Sequence, residues 1–135
     1  MIQAQFQSKL PRNPFASNNL EGGIYPKPLE VALHYKYLQI NSSNEVACIV
    51  LDIDKPNAAF LWEDVMSCLP PHIIVTNPVN GHSHYCYLLK NSVHKNANSN
   101  AKVIAYLDAI VAALTLKLDA DPCYNGVTAK NPFHK

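Results

Sequence analysis

The sequence has little glycine, almost no net charge and no closely paired cysteines, and each deficit excludes a class of protein. Only 4 of the 135 residues are glycine, and no glycine-rich phosphate loop or dinucleotide-binding fingerprint occurs. The 4 cysteines are widely separated and form no Cys-x-x-Cys pair, which argues against a zinc site or a disulfide framework. Cys48 and Cys86 lie in apolar segments, so we expect buried thiols in a reducing cytoplasm.

Net charge and hydropathy further restrict the classes of protein to which this sequence can belong. The formal net charge is +1 at pH 7, so any binding of nucleic acid must come from a local patch or from a region outside this sequence. Residues 1–5 are polar and no uncharged apolar run reaches membrane-spanning length. These features predict a cytoplasmic protein without a signal peptide or a membrane partner. The hydrophobic content of 48% is that of a globular domain.

The chain divides into an N-terminal arm and one domain. Prolines and glycines recur through residues 1–28 and predict an extended arm without a long regular element. The domain is expected to occupy residues 29–135. Its main elements are an apolar strand, a helix, a β-hairpin and a long helix. We expect these elements over residues 46–53, 56–69, 72–89 and 101–118, respectively.

This order of elements predicts an α+β fold, in which helices pack on a mixed β-sheet. The strand at 46–53 is apolar on both faces, so we expect it to lie centrally and to be covered on both sides. The Asn80-Gly81 pair between two apolar runs is a strong hairpin signal. The long helix presents an apolar stripe at helical spacing, from Ile104 to Leu118.

Two carboxylates end the apolar strand. Asp52 and Asp54 are spaced i, i+2, which places both on one strand face about 6.5 Å apart. Like charges at this separation raise each other's pKa unless a cation lies between them. A divalent ion that prefers oxygen ligands, Mg²⁺ or Mn²⁺, would resolve the repulsion. The alternative is a strand end with one helix-capping and one solvated aspartate.

A pair of histidines follows the hairpin turn with the same spacing. His82 and His84 share one strand face, and imidazole is a ready metal ligand and phosphate partner near neutral pH. The hairpin could return both side chains to the strand that carries the two aspartates. His82 is equally well explained as a turn residue bonded to backbone.

Three separated motifs together resemble the plasmid replicase family. They are Asp-Ile-Asp at 52–54, Asn-Pro-x-x-Gly-His-x-His-x-x-Tyr-x-Leu at 77–89 and Thr-x-Lys-Asn-Pro-x-His at 128–134. The family comprises replication initiators of colicin-type and related plasmids, whose catalytic domain belongs to the archaeo-eukaryotic primase superfamily. The resemblance covers roughly residues 38–134 and implies a primase-polymerase core with an RRM-like fold.

The resemblance also implies roles for individual residues. Asp52 and Asp54 match the metal ligands of the first motif, and His84 matches the histidine that contacts the phosphates of the incoming nucleotide. His82 would shape the same nucleotide site. The third metal-binding carboxylate is best matched by Asp121, with Asp108 and Asp119 as the other acids considered. Two further residues are expected to contact phosphate or template, Lys130 and Asn131.

The activity implied by the resemblance is that of a plasmid replication initiator with primase activity. Such an enzyme uses Mg²⁺ or Mn²⁺ to join nucleoside triphosphates into a short primer on a DNA template at the plasmid origin, in concert with the host replication machinery. Members of the family continue beyond the Lys-Asn-Pro-x-His segment. We therefore expect residues 29–135 to be part of a longer initiator.

Two other functions remain open from the residues. A rolling-circle-type nicking endonuclease also uses a His-x-His metal site, together with a tyrosine nucleophile that becomes joined to DNA. The available tyrosines are Tyr85, Tyr87, Tyr106 and Tyr124. A non-catalytic domain that only binds DNA or a replication protein is the third possibility, and the near-neutral charge gives it weight.

Overall fold

The computed structural model describes residues 2–96 and 98–134, in which helices accompany two antiparallel β-sheets. Its helices are α1 (Ile2–Ser8), α2 (Leu29–Ala32), α3 (Ala58–Leu61) and α4 (Ala101–Leu118). Its strands are β1 (Phe15–Ser17), β2 (Tyr25–Pro26), β3 (Tyr37–Gln39), β4 (Glu45–Ile53), β5 (Ile73–Thr76), β6 (Ser83–His94) and β7 (Thr128–Lys130). Short 3₁₀ turns occur at Leu20–Gly22 and Trp62–Asp64. The predicted α+β class is confirmed.

The strands form two separate sheets instead of one mixed sheet. The first has the order β4-β6-β5 and the second the order β2-β1-β3-β7, and each pairing in both is antiparallel. Because β4 and β5 flank β6, the strand–helix–hairpin order of the sequence becomes a split β-α-β arrangement. The β4 strand and the start of the β5–β6 hairpin lie where the sequence patterns predict them, but β6 continues to His94, five residues beyond the predicted end, because residues 93 and 94 still pair with β4.

The strand β4 is buried on both faces as predicted, but it lies at an edge of its sheet and not in the centre. The side chain of Asn41 covers that edge. Its Oδ1 accepts hydrogen bonds from the backbone N–H groups of Ala47 and Cys48, and its Nδ2 donates to the carbonyl of Cys48. Further along, the N–H of Asp121 donates to the carbonyl of Asp52. These partners satisfy edge groups that a further strand would otherwise pair.

The helix predicted for residues 56–69 is shorter in the structure. It is α3 followed by a 3₁₀ turn, and Leu69 is 65% exposed. The hydroxyl of Tyr85 accepts a hydrogen bond from the N–H of Trp62 and donates to the carbonyl of Ala58. In an α-helix these two backbone groups would bond to each other. A side chain inserted into the ladder in this way ends or bends a helix.

The long helix α4 has the predicted bounds. The side chain of Asn100 caps its first turn by accepting from two backbone N–H groups. Its stripe of Leu107, Leu114 and Leu118 packs against one face of the β4-β6-β5 sheet, where it forms the largest apolar core. None of the described helices is long and apolar enough to cross a membrane.

The N-terminal segment differs from the predicted extended arm. Within residues 2–28 it forms α1, β1 and β2, and β1 pairs with β3. Phe6 of α1 is fully buried against the second face of the β4-β6-β5 sheet, in a cluster that includes Cys48 and Cys86. The predicted burial of both cysteines is confirmed, and it raises the pKa of Cys48 to about 11 and that of Cys86 to about 12.

Candidate metal centre

The acid pair and the histidine pair meet at one end of the β4–β6 ladder. Asp52 lies directly opposite His84 in the antiparallel register. Its Oδ1 lies 3.3 Å from the Nε2 atom of His84. Next to this pair, the Oδ1 atom of Asp54 lies 3.4 Å from the Nδ1 atom of His82. The hairpin therefore returns both histidines to the acid strand, as the two i, i+2 spacings predict.

A third carboxylate joins the pair from the segment after α4. One oxygen from each of Asp52, Asp54 and Asp121 lies within 4.8 Å of the corresponding atoms of the other two. The backbone N–H of Asp121 bonds to the carbonyl of Asp52 at 2.8 Å, which holds this segment beside the strand end. One oxygen of Asp121 also accepts from the N–H of Cys123 at 2.8 Å, which orients the carboxylate.

The other two acids considered for the third position point elsewhere. Asp108 on α4 pairs with Lys95 at 3.1 Å, and Asp119 at the end of α4 pairs with Lys55. Both are largely exposed ion pairs, for which little stabilisation is expected. Of the three acids considered, Asp121 is the one that lies beside Asp52 and Asp54, and it is also the acid that the family resemblance implies.

The carboxylate cluster is electrostatically unfavourable without a cation. Burial raises the pKa of Asp52 above its ordinary value of 3.8, and the nearby charges of Asp54 and Asp121 raise it further, while Lys130 opposes them. Three convergent carboxylate oxygens suit a hard divalent ion such as Mg²⁺ or Mn²⁺. The donor set therefore fits the metal that the sequence predicts.

The imidazole of His84 is held from both sides. Its Nδ1 accepts a hydrogen bond from the backbone N–H of Lys130 at 3.0 Å, so the proton of the neutral ring lies on Nε2 and faces Asp52. The residue is 7% exposed, and burial together with the charge of Lys130 lowers its pKa to about 4. The ring also packs against Tyr124, with centroids 5.3 Å apart. A neutral His84 thus orients the Asp52 carboxylate.

The amine of Lys130 supplies positive charge at the same place. Its Nζ lies 3.4 Å from the Nε2 atom of His84, and its charge lowers the pKa of Asp52. The backbone bond to His84 anchors the residue at the end of β7. The structure therefore places Lys130 beside the carboxylates, and its contact with phosphate or template stays a prediction.

Asn131 has a different position from the one expected for a nucleotide contact. Its side-chain amide is 2% exposed and donates to the carbonyls of Leu33 and Tyr35, at 2.8 and 2.7 Å. Its oxygen accepts from the N–H of Phe133. All donor capacity of the amide is therefore used within the fold, where it ties the end of β7 to the loop before β3. We omit it from the proposed site.

Replacing Asn131 by alanine is expected to lower the free energy of unfolding by about 2–4 kcal/mol, because three partly buried backbone groups lose their partner. Urea unfolding followed by circular dichroism measures this change. Asn125→Ala is the matched control, since its exposed side chain accepts one hydrogen bond among the described residues, from Val127, and it should cost less than about 1 kcal/mol. Equal losses in both variants would contradict the structural assignment.

The four tyrosines considered as nucleophiles do not provide a free hydroxyl beside the histidines. Tyr85 and Tyr87 alternate with His84 along β6 and point to the opposite face of the sheet. The hydroxyls of Tyr85, Tyr87 and Tyr124 donate to backbone carbonyls, and burial raises the pKa of each. Tyr106 is exposed on α4. The nicking-endonuclease hypothesis therefore finds no poised hydroxyl among these four tyrosines.

Sequence reasoning missed two contacts that shape the site. Tyr124 was considered only as a nucleophile, although its ring packs on His84. Gly81 was predicted as a turn residue, but its close approach to Pro56 was not. Neither contact has a local signal, since each joins residues far apart in the chain.

The fold and the site together define an α+β domain whose carboxylate cluster could hold a divalent metal ion. The sequence model of the Replicase family matches residues 9–135, so this chain belongs to the Replicase family. Its membership assigns it a role in plasmid replication. No curated protein and no solved structure matches the sequence.

Proposed function

We propose that this chain is the catalytic domain of a plasmid replication initiator with primase activity. It would use a DNA template at the plasmid origin to join nucleoside triphosphates into a short primer, which the host replication machinery extends. The observation that carries the proposal is the convergence of Asp52, Asp54 and Asp121 within 4.8 Å at the end of β4, in a chain of the Replicase family.

The carboxylates would hold Mg²⁺ or Mn²⁺ through one oxygen each. The bound metal would lower the pKa of the attacking hydroxyl and offset the charge of the triphosphate. The contribution of the protein is to fix the three carboxylates before the ion arrives. The β4 strand fixes Asp52 and Asp54, and the backbone bond from Asp121 to Asp52 fixes the third.

His84 and Lys130 would have separate roles in the site. The neutral imidazole directs its Nε2 proton to Asp52, which orients that carboxylate. Lys130 would stabilise the triphosphate, because its amine is the positive group beside the carboxylates. His82, which is partly exposed beside Asp54, would shape the entrance of the nucleotide. The small exposure of His84 supports the positioning role over a direct phosphate contact.

The proposed reaction is a nucleotidyl transfer. The 3′-hydroxyl oxygen of one nucleotide attacks the α-phosphorus of the next and loses its proton to solvent. A new P–O bond forms, the bond between the α-phosphorus and its bridging oxygen breaks, and pyrophosphate leaves with the bonding electrons. The positive charge of Lys130 would stabilise the charge that develops on the leaving group.

Incubation of the chain with single-stranded template, labelled nucleotides and Mn²⁺ tests the proposal on a denaturing gel. Wild type is expected to make labelled oligonucleotides. Asp121→Asn should lose about a hundredfold or more in rate, because it removes a metal ligand and a transition-state interaction worth several kcal/mol. Asp119→Asn is the matched control, since this acid lies two residues away and pairs with Lys55 outside the cluster.

Three outcomes would count against the proposal. Equal losses in the Asp121 and Asp119 variants would show that the cluster is not the catalytic centre. DNA joined covalently to wild-type protein would instead indicate the nicking endonuclease. An absence of primer with wild type, in the longest available form of the initiator, would leave a domain that only binds DNA.

A further inference from the structure

We propose that the outer face of the β2-β1-β3-β7 sheet binds single-stranded DNA and leads it to the carboxylate centre as template. We call this surface the template face. Its strand residues are Phe15, Ser17, Pro26, Tyr37, Gln39, Thr128 and Lys130. The role as template rests on the proposed function, whereas the binding itself can be measured without synthesis.

The strand register defines the face. Residues directly opposite each other in antiparallel strands have their side chains on the same side of the sheet. Ser17, Tyr37 and Lys130 therefore form one row across three strands. The alternate residues Ala16 and Leu38 point to the other side, where both are at least 98% buried and Ala32 of α2 packs against them. One side of the sheet is thus core. On the other side Ser17 is also buried, and the surface left for a partner consists of the other six strand residues of the face.

The chemistry of the template face suits a single strand. It offers two aromatic rings, Phe15 and Tyr37, of which Phe15 is 40% exposed. The Nζ atom of Lys36 lies 5.6 Å from the centre of the Tyr37 ring, so a base stacked there would meet a cation that can contact its phosphate. The strand residues of this face include no carboxylate. Aromatic rings combined with lysines are the usual platform for unpaired nucleic acid.

Two acidic residues near this sheet belong to other elements. Glu30 belongs to α2, and α2 packs on the inner side. Glu21 belongs to the 3₁₀ turn that follows β1. The strand residues of the template face therefore carry no negative charge, and the carboxylates Asp52, Asp54 and Asp121 lie at its Lys130 end. Because the whole chain is nearly neutral, at +1, DNA binding requires a local patch of lysines such as the one on this face.

The face leads directly to the carboxylates. Lys130 ends the row, and its Nζ lies 3.4 Å from the His84 nitrogen that contacts Asp52. Neighbouring strands lie about 4.8 Å apart, so Tyr37 is one strand spacing from Lys130. A base stacked on Tyr37 would therefore lie beside the nucleotide held at the metal centre. This continuity distinguishes a template path from a separate DNA-binding surface.

Fluorescence anisotropy with a labelled oligothymidine of about 12 nucleotides tests the inference on the full chain. Tyr37→Leu is expected to weaken binding about tenfold, the size of one lost stacking contact, and Tyr37→Phe should retain wild-type affinity. Phe15→Leu should weaken binding in the same direction. Lys36→Gln should reduce the slope of log affinity against log salt by about 0.7, as expected for one lost phosphate contact.

Tyr25→Leu is the matched control. This tyrosine is 61% exposed at the edge of the same sheet but shares the register of Ala16 and therefore belongs to the opposite side. Its loss should change affinity less than twofold. Wild-type affinity in both Tyr37→Leu and Phe15→Leu would overturn the inference. So would an equal loss in the Tyr25 variant, or equal affinity of wild type for duplex DNA.

The proposed function can fail while this inference stands. In that case wild type makes no primer, yet its affinity for single-stranded DNA still depends on Tyr37 and not on Tyr25. Conversely, primer synthesis that is unaffected by Tyr37→Leu at limiting template would retain the metal centre and overturn the template face. Thermal melting of each variant identifies any that has lost its fold.

Discussion

Asp52→Asn is expected to abolish primer synthesis and, in the absence of metal, to make the protein more stable than wild type. The loss of activity follows from the loss of one of three carboxylate ligands. The gain in stability follows from the removal of a partly buried charge beside two like charges. The new amide can still accept the hydrogen bond from His84. We expect the free energy of unfolding to rise by about 1–2 kcal/mol, which raises the melting temperature by a few degrees.

The stability advantage of Asp52→Asn over wild type should increase with pH. The folded protein holds the Asp52 proton to a higher pH than the unfolded chain, because burial and then the neighbouring carboxylates raise its pKa above 3.8. Ionisation of Asp52 therefore lowers the free energy of unfolding progressively as the pH rises from about the ordinary pKa of 3.8 to the raised pKa of the folded protein. The full loss is present at neutral pH. The advantage of Asp52→Asn should accordingly be large at pH 7 and vanish at a pH below 3.8.

In the presence of a divalent metal ion, wild type should be more stable than Asp52→Asn. An ion that binds only the folded state at a hundred times its dissociation constant contributes about 2.7 kcal/mol. Melting curves with and without Mn²⁺ should show a shift for wild type and little or none for Asp52→Asn. Glu45→Gln, at the other end of β4, is the control that should shift like wild type. A metal-free Asp52→Asn variant that is less stable than wild type would contradict this account of the cluster.

Gly81→Ala should cause the largest loss of stability of any single methyl group added near the site. Gly81 has φ +77°, and a Cβ at this position would lie 1.7 Å from the carbonyl oxygen of Pro56. The obstacle is backbone, so neither segment can yield by rotating a side chain. We expect a loss of about 3–5 kcal/mol, combining strain at positive φ with the forced movement of the turn.

The same substitution should reduce activity in the protein that remains folded. Gly81 immediately precedes His82, and the turn starts the strand that carries His84. A displaced turn would move both histidines away from their aspartates. Gly22→Ala is the matched control, because no atom lies within 4 Å of its added Cβ. Thermal melting within a degree of wild type for Gly81→Ala would show that the turn tolerates displacement.

Much of the fold and half of the site could be predicted because the signals are local. The apolar run of β4, the hairpin turn and the capped helix α4 each depend on neighbouring residues, and they lie where predicted. A spacing of two along a strand is sufficient to put Asp52 beside Asp54, and His82 beside His84. The hairpin then makes the two pairs face each other.

The remaining features depend on contacts between distant parts of the chain. The predicted helix after Pro56 is cut short by the Tyr85 hydroxyl, 23 residues from Trp62. Asn131 resembles a nucleotide contact in its motif, yet its amide bonds to a carbonyl 98 residues away. The N-terminal segment pairs with β3 because its short strand finds an edge there, despite its many prolines. No local pattern encodes these partners.

The sequence by itself determined the family, the α+β class, the two face-sharing pairs of acids and histidines and the kind of ion they suit. Only the tertiary structure showed that Asp121, which the resemblance names, lies beside Asp52 and Asp54, that the Nε2 atom of His84 faces Asp52, and that the strands divide into two sheets. The physical reason is the range of the interactions. Side-chain periodicity acts over a few residues, whereas burial, charge proximity and strand pairing depend on which distant segments the fold brings together.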